Sequence, residues 1–101
     1  LRDDADALDA WAEAESRRLV AEGIHEASLD CAELLELPRA IRTRVIRDAC
    51  TSAGVPPDAM AFDHVARVEA LVSQWHGQGE IRLPGGVVAL RSYGRLCLRS
   101  P

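Results

Sequence analysis

The stretch "GEIRLPGGVVALRSYGRLCLRS", residues 79–100, constrains the fold more than any other part of the chain. Two glycine-bearing turns, Leu83-Pro84-Gly85-Gly86 and Ser92-Tyr93-Gly94, separate three short apolar runs, the pattern of consecutive antiparallel strands. Pro84 and Gly85 suit the second and third positions of a type II turn, whose third residue needs a positive φ. A phosphate-cradling loop would instead need the spacing G-x-x-x-x-G-K-[ST] and a following helix whose amides face the phosphates. Here a strand follows, so the Pro-Gly-Gly stretch reads as a hairpin bend.

The second turn decides which side chains share a face. A two-residue loop at Tyr93-Gly94 would pair Leu90 with Cys97 and set Arg99 opposite Val88, mixing charge into the apolar face. A three-residue loop, Ser92-Tyr93-Gly94, with Gly94 as the left-handed residue of a G1 bulge, avoids this and is the expected turn. Leu90 then pairs with Leu96, Val88 with Leu98, and Ile81 with Val88. The expected buried face is Ile81, Val88, Leu90, Leu96 and Leu98, and the opposite face displays Arg82, Arg91, Arg95 and Arg99.

Helical patterns precede these strands, so the fold class is α+β: a small helical domain with a C-terminal three-stranded antiparallel β-meander. Leu8, Trp11, Ala12, Leu19 and Val20 recur among acids with the spacing of an amphipathic helix from residue 4 to about 22, stopped by Gly23. Asp30 is the expected N-cap of a short helix, with Glu33 reaching back to it. Pro38 opens the next helix, whose buried face carries Leu37, Ile41, Val45 and Ala49 at i+4 spacing and which ends before Gly54. After Pro56-Pro57, a last helix is expected from Asp63 as N-cap, with Phe62 as a staple residue and His64, Val68, Leu71 and Trp75 on one stripe. The Thr51 to Asp58 connection is too long for the tight turn of a helix-turn-helix.

The 101 residues, 48% hydrophobic and 28% charged, suit one small globular domain. No run approaches the roughly 18 apolar residues of a membrane span, and no signal peptide is visible, so a cytoplasmic address is expected. Cys31, Cys50 and Cys97 form neither a zinc-ligand nor a disulfide pattern and are expected as buried thiols. His25, His64 and His76 lack metal-ligand spacing, and no motif marks a nucleophile beside any of them, so His64 is expected to be structural. The opening "LRDDADALDA" lacks a methionine and reads as part of something longer.

Charge is spread unevenly. Residues 1–36 hold eleven acids and three arginines, whereas residues 37–101 hold five acids and nine arginines. A basic half suggests an anionic partner, although the overall charge of −4 opposes strong nonspecific nucleic-acid binding by the whole chain. Arg39 and Arg42 sit in the first turn of a helix, where the dipole disfavours cations by about 0.3–1 kcal/mol. Their expected partner is Glu33 or Glu36, or else a phosphate. Arg44 and Arg47 are expected on the solvent side of that helix.

Three segments in this order and spacing, "RDDADALDAWA", "LELPRAIRTRVIRDA" and "HVARVEALVSQWHGQGEIRLPGGVVALRSYGRLCL", resemble the region that follows the catalytic domain of bacterial tRNA(Ile)-lysidine synthetase. The resemblance covers roughly residues 1–14 and 34–99. It implies a linker or packing helix over residues 1–26 and an accessory tRNA-binding domain over residues 27–101. In that family an N-terminal ATP-pyrophosphatase domain uses ATP, with magnesium, to attach lysine to the wobble cytidine of an isoleucine tRNA. The family's Ser-Gly-Gly-x-Asp-Ser motif is absent here, since Gly85-Gly86 lies in the hairpin, so no catalytic residue and no cofactor or metal site carries over. The implied partners are isoleucine tRNA and the chain's own N-terminal catalytic domain, and the family's capacity to dimerise admits a homodimer. Arg39, Arg42, Arg47, Arg82, Arg91, Arg95 and Arg99 are the expected tRNA contacts. The competing expectation is an interdomain or protein-binding module in which these arginines pair with acids.

Overall fold

The computed structural model describes residues 2–101. Helix α1, Arg2–Leu19, has Asp3 and Asp4 in its first turn and Arg17 and Arg18 in its last, charges that complement the helix dipole at both ends. The chain does not continue helically to residue 22. It turns at Val20 into strand β1, Ala21–Gly23, which pairs through a tight turn at Ile24-His25 with β2, Glu26–Asp30. His25 takes a positive φ of 61° there, a region that histidine tolerates better than most side chains.

Asp30 then caps α2, Cys31–Leu35, as expected, its Oδ1 accepting the amides of Ala32 and Glu33 at 2.8 and 3.3 Å, but Glu33 does not reach back to it and instead approaches Arg18 at 3.6 Å. The longer helices α3, Arg39–Ala53, and α4, Phe62–Ser73, follow. Pro38 precedes α3 and Gly54, at a φ of 123°, closes it. The N-cap of α4 is Ala61 rather than Asp63, because His64 Nδ1 accepts the Ala61 amide at 2.9 Å and does the capping from inside the first turn. That contact gives His64 the structural role its position suggested.

The C-terminal strands are β3, Ile81–Arg82, β4, Val88–Ser92, and β5, Arg95–Arg99. Among the described residues the sheet has five strands in the order β1-β2-β5-β4-β3, every neighbouring pair antiparallel, where a three-stranded meander was expected. The class is α+β as read, but the meander is only part of the sheet. The extra hairpin escapes periodicity because β2 is five residues long with only Ala27 and Leu29 alternating inward. Pairing makes it a strand: all five of its residues stand opposite β5, from Glu26 against Arg99 to Asp30 against Arg95.

The β4–β5 register also departs from expectation. The loop is the two-residue Tyr93-Gly94, with φ of 50° and 74°, the double positive φ of a type I′ turn. Val88 therefore stands opposite Arg99, Leu90 opposite Cys97 and Arg91 opposite Leu96. Across the first bend Ile81 meets Ala89, not Val88, and the Leu83 amide donates to Val87 O at 2.8 Å. Ile81, Leu96 and Leu98 face the helices as expected, but β4 is flipped, with Ala89 inward and Val88 and Leu90 outward.

Helices α2, α3 and α4 cover one face of the sheet, and α1 lies against α3. Between the layers Leu29, Leu34, Ile41, Val45, Ile46, Val68, Leu71, Ala89, Leu96 and Leu98 form the core, each at most 1% exposed. Each large aliphatic among them contributes about 1.5–3 kcal/mol by leaving water. The Pro-Gly-Gly bend packs against the loop after α3: within a 3-10 turn over Pro84–Gly86, Gly85 has the expected positive φ, 81° with ψ 10°, Gly86 is also positive at 78°, and a Cβ on Gly85 would lie 2.7 Å from Gly54 O.

Candidate nucleic-acid interface

The arginines expected to contact tRNA fall into two sets that the fold separates. Arg39 and Arg42, on the first turns of α3, meet neither Glu33 nor Glu36. They converge on Glu69 of α4, Arg39 Nη1 at 3.3 Å from Oε1 and Arg42 Nε at 2.9 Å from Oε2. Glu69 is 2% exposed, and Ser73 Oγ donates to its Oε1 at 2.9 Å. Arg42 is nearly buried and also donates to Leu37 O at 3.2 Å. The positive charge in the first turn is thus balanced by a carboxylate from a different helix. A charged residue set within the Val65, Val68, Val72 stripe of α4 is the sequence signal that could have pointed to it.

Arg44 and Arg47 are likewise engaged. Arg44 binds Asp9 of α1 at 3.1 Å and Ala40 O at 2.9 Å, and Arg47 donates to Met60 O at 3.0 Å. With Arg39 they line a groove bordered by Phe62, an exposed ring at the start of α4.

Arg91 is the clearest displacement from its expected place. Because β4 is flipped, its side chain passes to the helix side of the sheet, where Nη1 donates to Leu71 O and Val72 O at 3.0 and 3.2 Å. These carbonyls belong to the last turn of α4, where a cation also complements the dipole. The guanidinium lies 5.3 Å from the centroid of the Trp75 ring, a cation–π contact. Arg91 is therefore not on the face with Arg82, Arg95 and Arg99.

Those three remain together. Strand alternation places them on the sheet face opposite the core, in three cross-strand rows: Arg82, Val88, Arg99 and Glu26; Leu90, Cys97 and Ser28; Ser92, Arg95 and Asp30. Val88 and Leu90 are half-buried, Cys97 is buried among its neighbours on this face, and none of the three joins the core cluster. Arg95 holds Ser28 Oγ through Nε and Nη2 at 3.2 and 3.0 Å, a neutral partner, and makes no ion pair among the described residues, although Asp30 stands opposite it in the same row. Arg99 approaches Glu26 at 3.6 Å and Arg82 approaches Glu80 at 3.9 Å, both pairs largely in solvent and worth little to stability.

No group of three or more His, Cys, Asp or Glu side chains able to hold a metal occurs among the described residues. Burial pushes the Cys50 thiol up to about 12 and raises those of Cys31 and Cys97, which keeps them as thiols near neutrality. No helix of the described residues is long and apolar enough to cross a membrane.

Such an arrangement defines a small two-layer α+β module with an open, arginine-bearing sheet face. The chain belongs to the TilS substrate binding domain family, whose model matches residues 29–97, from the middle of β2 to the middle of β5. It is 47% identical over 100 residues to the tRNA(Ile)-lysidine synthase of Streptomyces coelicolor, covering 97% of this chain and 27% of that protein. The tRNA(Ile)-lysidine synthases of Thermobifida fusca and Rhodococcus erythropolis are 45% and 40% identical, over 95% and 97% of this chain and 29% and 30% of their own lengths. The chain thus spans under a third of the curated relatives it matches.

Proposed function

We propose that this chain is the tRNA-docking part of a tRNA(Ile)-lysidine synthase, and that the open sheet face holds the tRNA while a separate domain performs the ATP-dependent attachment of lysine. The observation that carries this reading is the contrast in arginine partners. Arg39, Arg42, Arg44, Arg47 and Arg91 are bound to acids or carbonyls within the fold, whereas Arg82, Arg95 and Arg99 share one face with weak or neutral partners. Arg95 and Arg99 are four residues apart, roughly 13 Å along the strand, far enough to reach different phosphates. The family and the names of the relatives make an isoleucine tRNA the natural anion. ATP, magnesium and lysine belong to the catalytic domain in this reading.

The exposed Phe62 and Trp11 on the helical side favour a complementary role for that side, as the contact to the catalytic domain.

The test is a tRNA titration of the full-length protein carrying Arg82→Glu, Arg95→Glu and Arg99→Glu together, at two salt concentrations. Each lost phosphate contact lowers affinity and flattens the salt slope by about 1. Unchanged affinity and slope in a folded variant would remove the docking role of the open face.

A further inference from the structure

Tyr93 stands at the tip of the β4–β5 hairpin, next to Ser92 and two residues before Arg95, and its side chain is fully exposed. It occupies the first central position of the type I′ turn with a φ of 50°. That position favours Asn, Asp or Gly, because most side chains meet steric resistance in the left-handed region. An aromatic ring there carries the conformational cost and buries nothing in return within this fold. Gly94 alongside, at a φ of 74°, has open space around it, so nothing in the fold crowds the tip.

From the strained position, the full exposure and the neighbouring Arg95, we infer that Tyr93 is a stacking platform for an unpaired nucleobase of the RNA held by the open face. The inference rests on the docking reading above and narrows it. Phosphates lie along Arg82, Arg95 and Arg99, and one base beyond Arg95 is splayed out of any helix onto the phenol ring. Sequence-tolerant stacking of this kind is how proteins commonly hold single-stranded or looped RNA. A fully paired stem offers no such base. The ligand class is therefore an RNA segment with at least one unstacked nucleotide, as in a loop, bulge or single-stranded end.

Stacking releases no counterions, which separates it experimentally from phosphate contact. In the full-length protein, Tyr93→Asn keeps the left-handed turn with a residue suited to it, so folding is retained. Its tRNA affinity is expected to fall roughly 5- to 150-fold with the salt slope unchanged. Tyr93→Phe, which keeps the ring, should bind as the unaltered protein does, and binding of Tyr93→Asn to a blunt RNA duplex should match that of the unaltered protein. Normal tRNA binding by Tyr93→Asn, or an equal loss in Tyr93→Phe, overturns the stacking role. If the triple arginine variant loses binding while Tyr93→Asn does not, the platform falls and the docking face stands. If neither variant changes tRNA binding, both readings fall together.

Discussion

Arg91 and Arg95 lie four residues apart in one hairpin and point through opposite faces of the same sheet. On the covered face Arg91 is spent on the carbonyls at the end of α4 and on the Trp75 ring, so its charge serves the packing of helix on sheet. On the open face Arg95 is held only by the Ser28 hydroxyl, which orients the guanidinium without neutralising it. The covered face behaves as a set of closed polar contacts around an apolar core, and the open face as a preoriented charge awaiting a partner. Counting arginines in a sequence cannot distinguish the two, because the same side chain serves either purpose according to strand parity.

The comparison breaks first, if it is wrong, at Glu69. Removing its buried carboxylate leaves Arg42, with 12% of its side chain exposed, without a counter-charge, and Arg39 loses a partner as well. Glu69→Ala should cost about 3–5 kcal/mol in urea-unfolding free energy. A loss under about 1 kcal/mol would mean that the arginines of α3 are as free as those of the open face.

The next effect sharpens the contrast within the hairpin. Arg91→Ala gives up two charge-assisted hydrogen bonds to helix carbonyls and should destabilise by about 1.5–3 kcal/mol. Arg82→Ala, which loses a 3.9 Å contact in solvent, should stay within about 0.5 kcal/mol. Equal melting temperatures for these two variants would erase the distinction between the faces.

Between those two in size lies the turn that sets the parity. Gly94→Val forces a β-branched residue to a φ of 74° and should cost about 1–2 kcal/mol or more, while Ser92→Ala should fall within about 0.5 kcal/mol. Equal unfolding midpoints would argue for a turn centred elsewhere, and with it a different face for Arg91.

Much local chemistry was readable where a residue acts on its own neighbours, although the N-cap of α4, expected at Asp63, and the β4–β5 turn, expected to have three residues, were not. The Asp30 cap, the Pro38 start and Gly54 stop of α3, the stripe of Ile41, Val45 and Ala49, the positive φ of Gly85 in its bend and the inward Leu96 and Leu98 all follow from short-range preference and periodicity. The seven arginines expected to share one role were legible as a charge bias, but not as two populations. The β1–β2 hairpin was missed because two inward residues make too short a pattern, and because β2 takes its place in the sheet through β5, a partner strand about seventy residues away in sequence, with β1 pairing only to β2.

The amino-acid order by itself determined helices followed by glycine-turned strands, the Asp30 cap and the Pro38 and Gly54 bounds of α3, because these depend on contacts a few residues apart, and the apolar patterns implied an α+β domain with buried thiols. Only tertiary structure decided the parity of β4. With β5 inward at Leu96 and Leu98 in any case, hydrophobicity favoured Val88 and Leu90 beneath the helices, yet small Ala89 and the long Arg91 occupy that side. The two-residue turn permits this parity, and a distant group favours it: the open carbonyls at the end of α4 accept the Arg91 guanidinium, and no reading confined to the hairpin contains them.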